Sequence, residues 1–342
     1  MKHGISVIIC CYNSAWVIRR TLDALKEQRF KTPIPYEVVL VDNRCTDDTV
    51  AVAEDTMKES EIDFHIVRED DPGLANARRR GVKEVKYEYV LYCDDDNLLC
   101  PDYVSTMVEL LDSMPDVGAV GGKGIAEFGA EPAEIVKANL GGYAVGSQTE
   151  HEDWLWGAGL ALRTTLVRDV YDNQKCYLMG RKGKELLSGD DSELVMSMVL
   201  RGYKVFATDD VYYIHVLKAE RLTEEYFYCL NEGLAQPTPV FEIMRAVIYD
   251  RGFYKTIRGY LELYKRHIKY SILWWKPDAK IKSRNALNRL IPFRKWGFFQ
   301  LYLIYRQWNN IKKRFPKVHT SSSELQTNSI EENINRVKED IE

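Results

Sequence analysis

No uninterrupted run of about 18 apolar residues occurs in the sequence, which excludes a transmembrane helix as its organising element. The first residues, MKHGISVIICCYN, pass from charged positions straight into a short strand-like stretch, and that stretch is too short to read as a signal peptide. The seven cysteines at 10, 11, 45, 93, 100, 176 and 229 include no CxxC pair and show no metal-ligand spacing. Several sit inside apolar runs, so they read as small core residues in a reducing compartment. Glycine is missing where a dinucleotide fold needs it. The first turn reads CYNSAWVI rather than GxGxxG, so a phosphate bound there finds no backbone cradle and needs a cation instead.

Acidic residues are nearly absent from one stretch. Positions 251–320 carry 18 Lys/Arg and 2 acidic residues, Glu262 and Asp278, whereas positions 1–250 carry 27 basic and 43 acidic residues. The net charge of -4 over 342 residues therefore hides an acidic body and a basic one, with different electrostatic tasks.

The most informative segment is the apolar run YVLYC, 89–93, which ends in Asp94, Asp95 and Asp96. Carboxylates at the end of a strand place hard oxygen ligands at the mouth of a sheet, where divalent cations and phosphates are handled. Acidic residues after a strand also cap helices, and Asp102 suits that role for a helix starting near Tyr103. Three adjacent carboxylates repel one another unless a cation offsets them, which favours a metal site.

Along the acidic body, strand and helix patterns alternate. ISVIICCYN (5–13), YEVVLVDN (36–43), DFHIVRE (63–69) and YEYVLYC read as strands. Between them lie an amphipathic helix with Trp16, Ile18, Leu22 and Leu25, a helix over 46–59 capped by Thr46 or Asp47, and a helix over 73–85. The alternation predicts an α/β fold with a doubly wound, mostly parallel sheet, whose ligands bind beyond the carboxyl ends of the strands. Tyr12-Asn13, Asp42-Asn43 and the aspartate triplet all fall there. Asp42 could accept a hydrogen bond from a base or ribose, and Arg78 on the third helix could neutralise phosphate or stack on a base.

Six segments in register, SVIICCYNSAWVIRRTLDAL, VVLVDNRCTDDTV, GLANARRRG, YVLYCDDDNLLCPDYV, WLWGAGLALRT and LSGDDSELVMSMVLRGYKV, resemble the landmarks of family 2 glycosyltransferases with the GT-A fold. The resemblance covers about residues 4–218 and is of the bacterial cell-surface polysaccharide type. It implies that Cys11, Tyr12, Asn13 and Asp42 meet the base of a donor nucleotide, usually uracil, and that Arg78 is the donor-side arginine. Asp94 and Asp96 match the DxD pair: the first is implied near the ribose and a metal-bound water, the second on Mn2+ or Mg2+. Asp95 fills the variable middle position on the donor side. Asp191 matches the catalytic base and Asp190 an acceptor-side glutamate shortened by one methylene. His215, at a strand-like end, corresponds to a further metal ligand in some relatives; otherwise it is a hydrogen-bonded strand-end histidine.

Trp154, Trp156, Gly157, Ala158 and Gly159 fall where that family builds its acceptor side, and indole faces suit a sugar ring or lipid. Trp156, beside the glycines, is the expected exposed ring. Lys182 and Lys184 sit in a loop that could cover donor phosphates. Asn43-Arg44-Cys45 and Arg79 depart from the family's usual residues.

The basic stretch contains 15 aromatic residues. Ile257, Tyr260, Leu261, Tyr264 and Ile268 share one helical face, and Phe298, Leu301, Tyr302, Tyr305, Trp308 and Phe315 another. Such helices can lie on an anionic membrane or pack on the acidic body; nucleic acid is not the expected partner.

The organisation expected is a GT-A domain over 1–218, with donor half 1–100 and acceptor half 101–218. A helical basic and aromatic appendage follows over 219–318, associating with membrane, and then a polar tail over 319–342. The activity expected is metal-dependent, inverting sugar transfer from a nucleoside-diphosphate sugar, a UDP-sugar by preference, to a glycan or lipid-linked acceptor hydroxyl. Its place is the cytoplasmic membrane face, in cell-surface polysaccharide synthesis. A noncatalytic nucleotide-sugar-binding protein is the alternative, against which the retained Asp191 argues. A sugar nucleotidyltransferase would need a Gly- and Lys-rich first loop that CYNSAWVIRR lacks.

Overall fold

The computed structural model describes residues 1–182, 185–273, 275–276 and 279–315. Lys184 and the tail expected over 319–342 lie outside the described residues. The first strands and helices alternate as β1 (Lys2–Cys11), α1 (Ile18–Lys26), β2 (Tyr36–Asp42), α2 (Thr49–Met57), β3 (Asp63–Arg68), α3 (Leu74–Glu84) and β4 (Tyr87–Asp94). These strands form one parallel block in the order β3-β2-β1-β4. A half-buried strand would alternate polar with apolar residues, whereas β1 and β2 are apolar almost throughout because helices cover both faces.

The sheet then turns mixed. After β5 (Asn97–Leu99), α4 (Tyr103–Ser113), β6 (Val117–Phe128), α5 (Glu134–Lys137), β7 (Leu160–Arg163), α6 (Thr164–Asn173), α7 (Asp190–Val199) and β8 (Lys204–Leu217), the full order is β3-β2-β1-β4-β7-β6-β8-β5. β7 runs antiparallel to β4 and β6, and β5 antiparallel to β8. Two strand registers bring distant residues together at one edge of this sheet. Cys11 lies opposite Asp42 and Cys10 opposite Asp94, which aligns three strand tips. Asn97 lies opposite His215, and the Val216 N–H donates to the Asp96 carbonyl at 2.9 Å, which folds the end of β8 back onto the aspartate triplet.

Alternate residues of the parallel strands feed two cores. Val7, Ile9, Val38, Leu40 and Leu91 face α1, α2 and α4 through Leu22, Met57 and Met107; Ile8, Val39, Val41 and Val90 face α3, α6 and α7 through Val82, Val167 and Val195. The expected caps differ in detail. Asp48 occupies the cap position of α2, while Asp47, expected there, accepts from the Thr49 N–H at 3.1 Å from one residue further out. Asp102 precedes α4 but makes no capping bond with its side chain.

The remaining helices are α8 (Glu224–Ala235), α9 (Thr238–Ile248), α10 (Phe253–Ile272), α11 (Ala279–Trp296) and α12 (Phe298–Arg314). None of the described helices is long and apolar enough to cross a membrane. The two amphipathic faces read from the sequence divide in the structure. Leu301, Ile304, Trp308 and Ile311 of α12 are buried with Val240, Ile243 and Met244 of α9 against Met196 and Leu200, so this part of the basic region shares a core with α7. On α10, Tyr260 is buried and stacks on Phe293 at 4.0 Å, whereas Leu261, Tyr264 and Ile268 remain exposed. Packing therefore claims Leu301 and Trp308 on the α12 face and Tyr260 on the α10 face, while Phe298, Tyr302 and Phe315 are exposed as Leu261, Tyr264 and Ile268 are.

Among the described residues Trp308 is the largest fully buried side chain. Trp308→Ala is expected to lower unfolding stability by about 3–5 kcal/mol, read by chemical denaturation. A loss below about 1 kcal/mol, the range of a surface change, would show that α12 is not part of this core.

Candidate active site

The strand tips, the end of β8 and the start of α7 enclose a cavity of about 930 Å³. Cys11, Tyr12, Arg78, Asp94, Asp95, Asp96, Trp156, Gly157, Asp190, Asp191 and His215 all line it. Asn13 and Asp42, expected at the donor base, do not. The Asn13 side-chain oxygen accepts from the Thr46 N–H at 2.8 Å, and Asp42 accepts from the Cys45 N–H at 2.7 Å and from Arg68 at 3.0 Å. Both organise the loop after β2, and in their stead Asn43, Arg44 and Thr46 face the cavity.

Arg78 is 3% exposed and sits between two elements. Its Nη1 donates to Asp190 at 2.8 Å, its Nη2 lies 3.5 Å from Asp94, and its guanidinium stacks over Tyr92 at 5.0 Å. Burial opposes the charge, but Asp190, Asp94 and Asp191 outweigh it and hold the guanidinium well above its ordinary pKa. Gly157 has to be glycine here, since a Cβ would collide with the Arg78 guanidinium. Asp190, expected toward an acceptor, is thus Arg78's partner, and Asp94, expected near a metal, turns to the same arginine.

Asp96 is 4% exposed and meets different groups. Its Oδ2 accepts from Arg221 Nη1 at 3.0 Å, and its Oδ1 lies 3.5 Å from His215 Nε2. Burial works to raise the Asp96 carboxyl, but the facing His215 and Arg221 prevail and hold it well below the usual carboxylate range. His215 Nδ1 is 2.7 Å from the Tyr143 carbonyl, which can only accept, so Nδ1 carries a proton and Nε2 is the ring nitrogen that faces Asp96. An anionic oxygen and an imidazole nitrogen at that separation can share one divalent cation with bond lengths of about 2.1 Å, so the pair fits Mn2+ or Mg2+. The middle carboxylate, Asp95, accepts from the Ser14 hydroxyl, and its carbonyl accepts from Thr21 at 2.8 Å. Burial, helped by Asp96, pushes Asp95 up to about 7. Among the described residues one trio of metal-capable side chains, Glu37, Asp63 and His65, also converges. It lies at the opposite edge of the sheet, where the Lys86 ammonium stands 3.1 Å from Glu37 and 2.7 Å from Asp63.

Asp191 opens α7 on the cavity wall. One oxygen accepts from the Gly157 N–H at 2.7 Å and the other from the Ser192 N–H at 2.7 Å, which fixes the carboxylate's plane. Gln148, buried beside it, accepts from the Trp156 N–H at 2.7 Å and donates to the Gly122 carbonyl at 2.8 Å, which positions the 156–157 turn. Trp154 and Trp156 are both half-buried and both border the cavity, so the exposed ring is not Trp156 alone. His151 stacks on Trp154 at 3.8 Å. Tyr226, Leu234, Phe241 and Arg245 also line the cavity, so α8 and α9 complete a wall that sequence patterning places within 101–218. Arg245 is locked to Asp153 by two bonds of 2.9 and 3.0 Å. Neither Arg221 nor Tyr143 carries a pattern that sequence reading could single out, because both enter the site only through the β5–β8 register.

Known proteins bear on this geometry in two ways. Residues 6–150 match the family model described as glycosyl transferase family 2. Poly-beta-1,6-N-acetyl-D-glucosamine synthase of Staphylococcus epidermidis is 29% identical over 119 residues, which is 35% of this chain and 28% of that protein, so the match spans little more than a quarter of its relative. Among solved structures, a mannosyltransferase, PcManGT from Pyrobaculum calidifontis in complex with GDP-Man and Mn2+, superposes with a TM-score of 0.52 at 18% identity, covering 92% of this chain and 85% of that one. TarS 1–349 of S. aureus in complex with UDP-GlcNAc superposes with a TM-score of 0.50 at 17% identity, covering 92% and 93%. At these identities the likeness concerns the fold, which is GT-A.

Glu193, one turn into α7, is 1% exposed and accepts from the Tyr177 and Leu178 N–H groups at 2.8–2.9 Å. Burial pushes its carboxyl up to about 8 from 4.5, against those two donors. The folded chain then holds a proton that the unfolded chain has released, so this contribution to stability is full below about 4.5 and is lost as pH rises through about 8. Glu193→Gln is expected to show a smaller fall in melting temperature between those pH values than the wild type. Identical pH slopes for the two proteins would count against the raised carboxyl.

Proposed function

We propose, from the match of residues 6–150 to the glycosyl transferase family 2 model, that the protein is an inverting, metal-dependent glycosyltransferase that moves a sugar from a nucleoside diphosphate to a hydroxyl group. The observation that carries this reading is the presence, in one cavity, of a free-facing carboxylate oriented by backbone N–H groups and of a separate carboxylate–imidazole pair suited to a cation.

Asp191 takes the proton from the acceptor hydroxyl. Its Oδ1 takes the Ser192 N–H and hydroxyl and its Oδ2 the Gly157 N–H, which leaves a lone pair on Oδ2 for substrate, so the base is oriented before substrate arrives. Asp96 and His215 would hold Mn2+ or Mg2+, which supplies the Lewis acid for a departing diphosphate. Attack from the Asp191 side on the anomeric carbon, in line with the leaving diphosphate, inverts that centre. Cys11, Tyr12, Asn43 and Arg44 form the wall available to the nucleotide, with a UDP-sugar the donor proposed. Trp154 and Trp156 offer flat faces to an acceptor sugar, and the apolar Leu186, Leu187, Leu234 and Phe241 favour a glycan carried on lipid in cell-surface polysaccharide synthesis.

The same reading places the chain peripherally on the inner face of the cell membrane. Leu261, Tyr264 and Ile268 of α10 and Phe298 and Phe299 of α12 stand exposed within a stretch that carries 18 basic and 2 acidic residues. Such faces insert at headgroup depth, with each near-surface cation adding about 1 kcal/mol on anionic lipid.

Asp191→Asn is expected to lower transfer by about 10²–10⁴-fold while nucleotide-sugar binding, followed by calorimetry, stays unchanged. Full transfer by that variant would remove Asp191 from the base role. On phosphatidylglycerol-rich vesicles the wild type should cosediment, and the triple change Leu261→Glu, Tyr264→Ser, Ile268→Glu should weaken binding at least about tenfold. Equal sedimentation of both proteins would instead leave α10 without a role at the membrane.

A further inference from the structure

Arg221 stands in the angle between the Asp96 carboxylate and the His215 ring nitrogen. Its Nη1 is 3.0 Å from Asp96 Oδ2 and 3.5 Å from His215 Nε2. The arginine is not carried there by chance of a long side chain. Its backbone belongs to the 3-10 turn Ala219–Leu222, the Tyr143 hydroxyl donates to the Arg221 carbonyl at 3.0 Å, and Leu222 packs in a small core with Val136, Tyr143 and Leu230. Tyr143 therefore holds both partners at once, His215 through its carbonyl and Arg221 through its hydroxyl. The Arg221 side chain is 24% exposed and borders the cavity, so its guanidinium can turn inward without moving the turn that carries it.

We propose that Arg221 is a resident competitor for the cation site: its guanidinium and a divalent cation contend for the Asp96 carboxylate and the His215 nitrogen between which the guanidinium stands, and the displaced guanidinium turns to the diphosphate. The inference rests on the reading of Asp96 and His215 as ligands, and it adds a positioning residue that ties two binding events together. Arg221 uses Asp96 Oδ2 and leaves Oδ1 open, but a guanidinium and a metal cation cannot both approach His215 Nε2, and their charges repel at such a distance. A diphosphate in the cavity changes the balance, because it gives Arg221 two new anionic oxygens in a geometry that a planar fork matches. The cation then enters a site from which its competitor has been drawn away. Metal and nucleotide thus bind together more readily than either alone.

The test is a titration of the full-length protein with Mn2+ alone, without nucleotide, read by calorimetry and by the paramagnetic signal of free Mn2+. Arg221→Gln is expected to bind Mn2+ about tenfold more tightly than the wild type, since it removes a charged hydrogen-bond donor from Asp96. Arg181→Gln is the control for simple charge removal, because Arg181 also borders the cavity and acts on Asp96 only through space. It should tighten binding far less. Unchanged or weaker affinity in Arg221→Gln, or an equal gain in both variants, overturns the competition while leaving the ligand assignment intact. Asp96→Asn and His215→Ala should each weaken binding; if neither does, the ligand assignment falls, and the competition with it. Wild-type protein supplies a second readout that needs no variant. Saturation with Mg2+ should shift the Arg221 side-chain Nε resonance, and its constancy overturns the proposal.

Discussion

Everything at this site depends on one buried guanidinium. Arg78 joins the helix that follows β3 to the tip of β4 and the first turn of α7, with Asp94 and Asp190 as its anions and Gly157 pressed against it. A charge at 3% exposure survives only when its partners are fixed, and removing one partner of such a pair typically costs about 3–5 kcal/mol. The guanidinium therefore sets where the two halves of the sheet meet. Asp191, the neighbour of Asp190, inherits its position from that contact, as does the 156–157 turn that donates to it.

Around this strut the carboxylates of the cavity take different roles because they meet different neighbours. Asp94 and Asp190 neutralise Arg78, Asp95 binds Ser14, Asp96 faces His215 and Arg221, and Asp191 is held by two N–H groups and the Ser192 hydroxyl, all neutral donors. That last difference has chemical weight. A carboxylate with a cationic partner is committed, whereas one oriented by neutral donors remains available to accept a proton. The acidic body of the chain accordingly concentrates fixed cations beside Asp94, Asp96 and Asp190, and it leaves Asp95, bound to Ser14, and Asp191 with neutral donors only.

The basic region contributes to the same site from outside. α9 brings Phe241 and Arg245 to the cavity wall, and α12 buries Leu301, Ile304 and Trp308 behind α7, so the element carrying Asp191 is backed by residues that sequence patterning assigns to a separate appendage. Only the exposed face of α10 and the start of α12 retain the character of a surface meant for another phase. Amphipathic periodicity reports that a face is apolar; it says nothing about which of two apolar environments will cover it.

What the sequence alone determined was the local part of the structure: the alternation of strands and helices through β4, the aspartates at a strand tip, and an acidic first turn at Asp190 and Asp191. These follow from residue periodicity and from turn chemistry, which act over a few positions. The tertiary structure decided how those pieces are used. Antiparallel pairing of β5 with β8 brought His215 and Arg221 to Asp96, and packing around Arg78 turned Asp94 and Asp190 inward. The structure also withdrew Asn13 and Asp42 from the cavity and put Asn43 and Arg44 on its wall. Which carboxylate binds, braces or stays free depends on groups distant in the chain, more than a hundred positions away for Asp96 with Arg221 and for Asp190 with Arg78, and such pairings are set by register and packing, on which local pattern is silent.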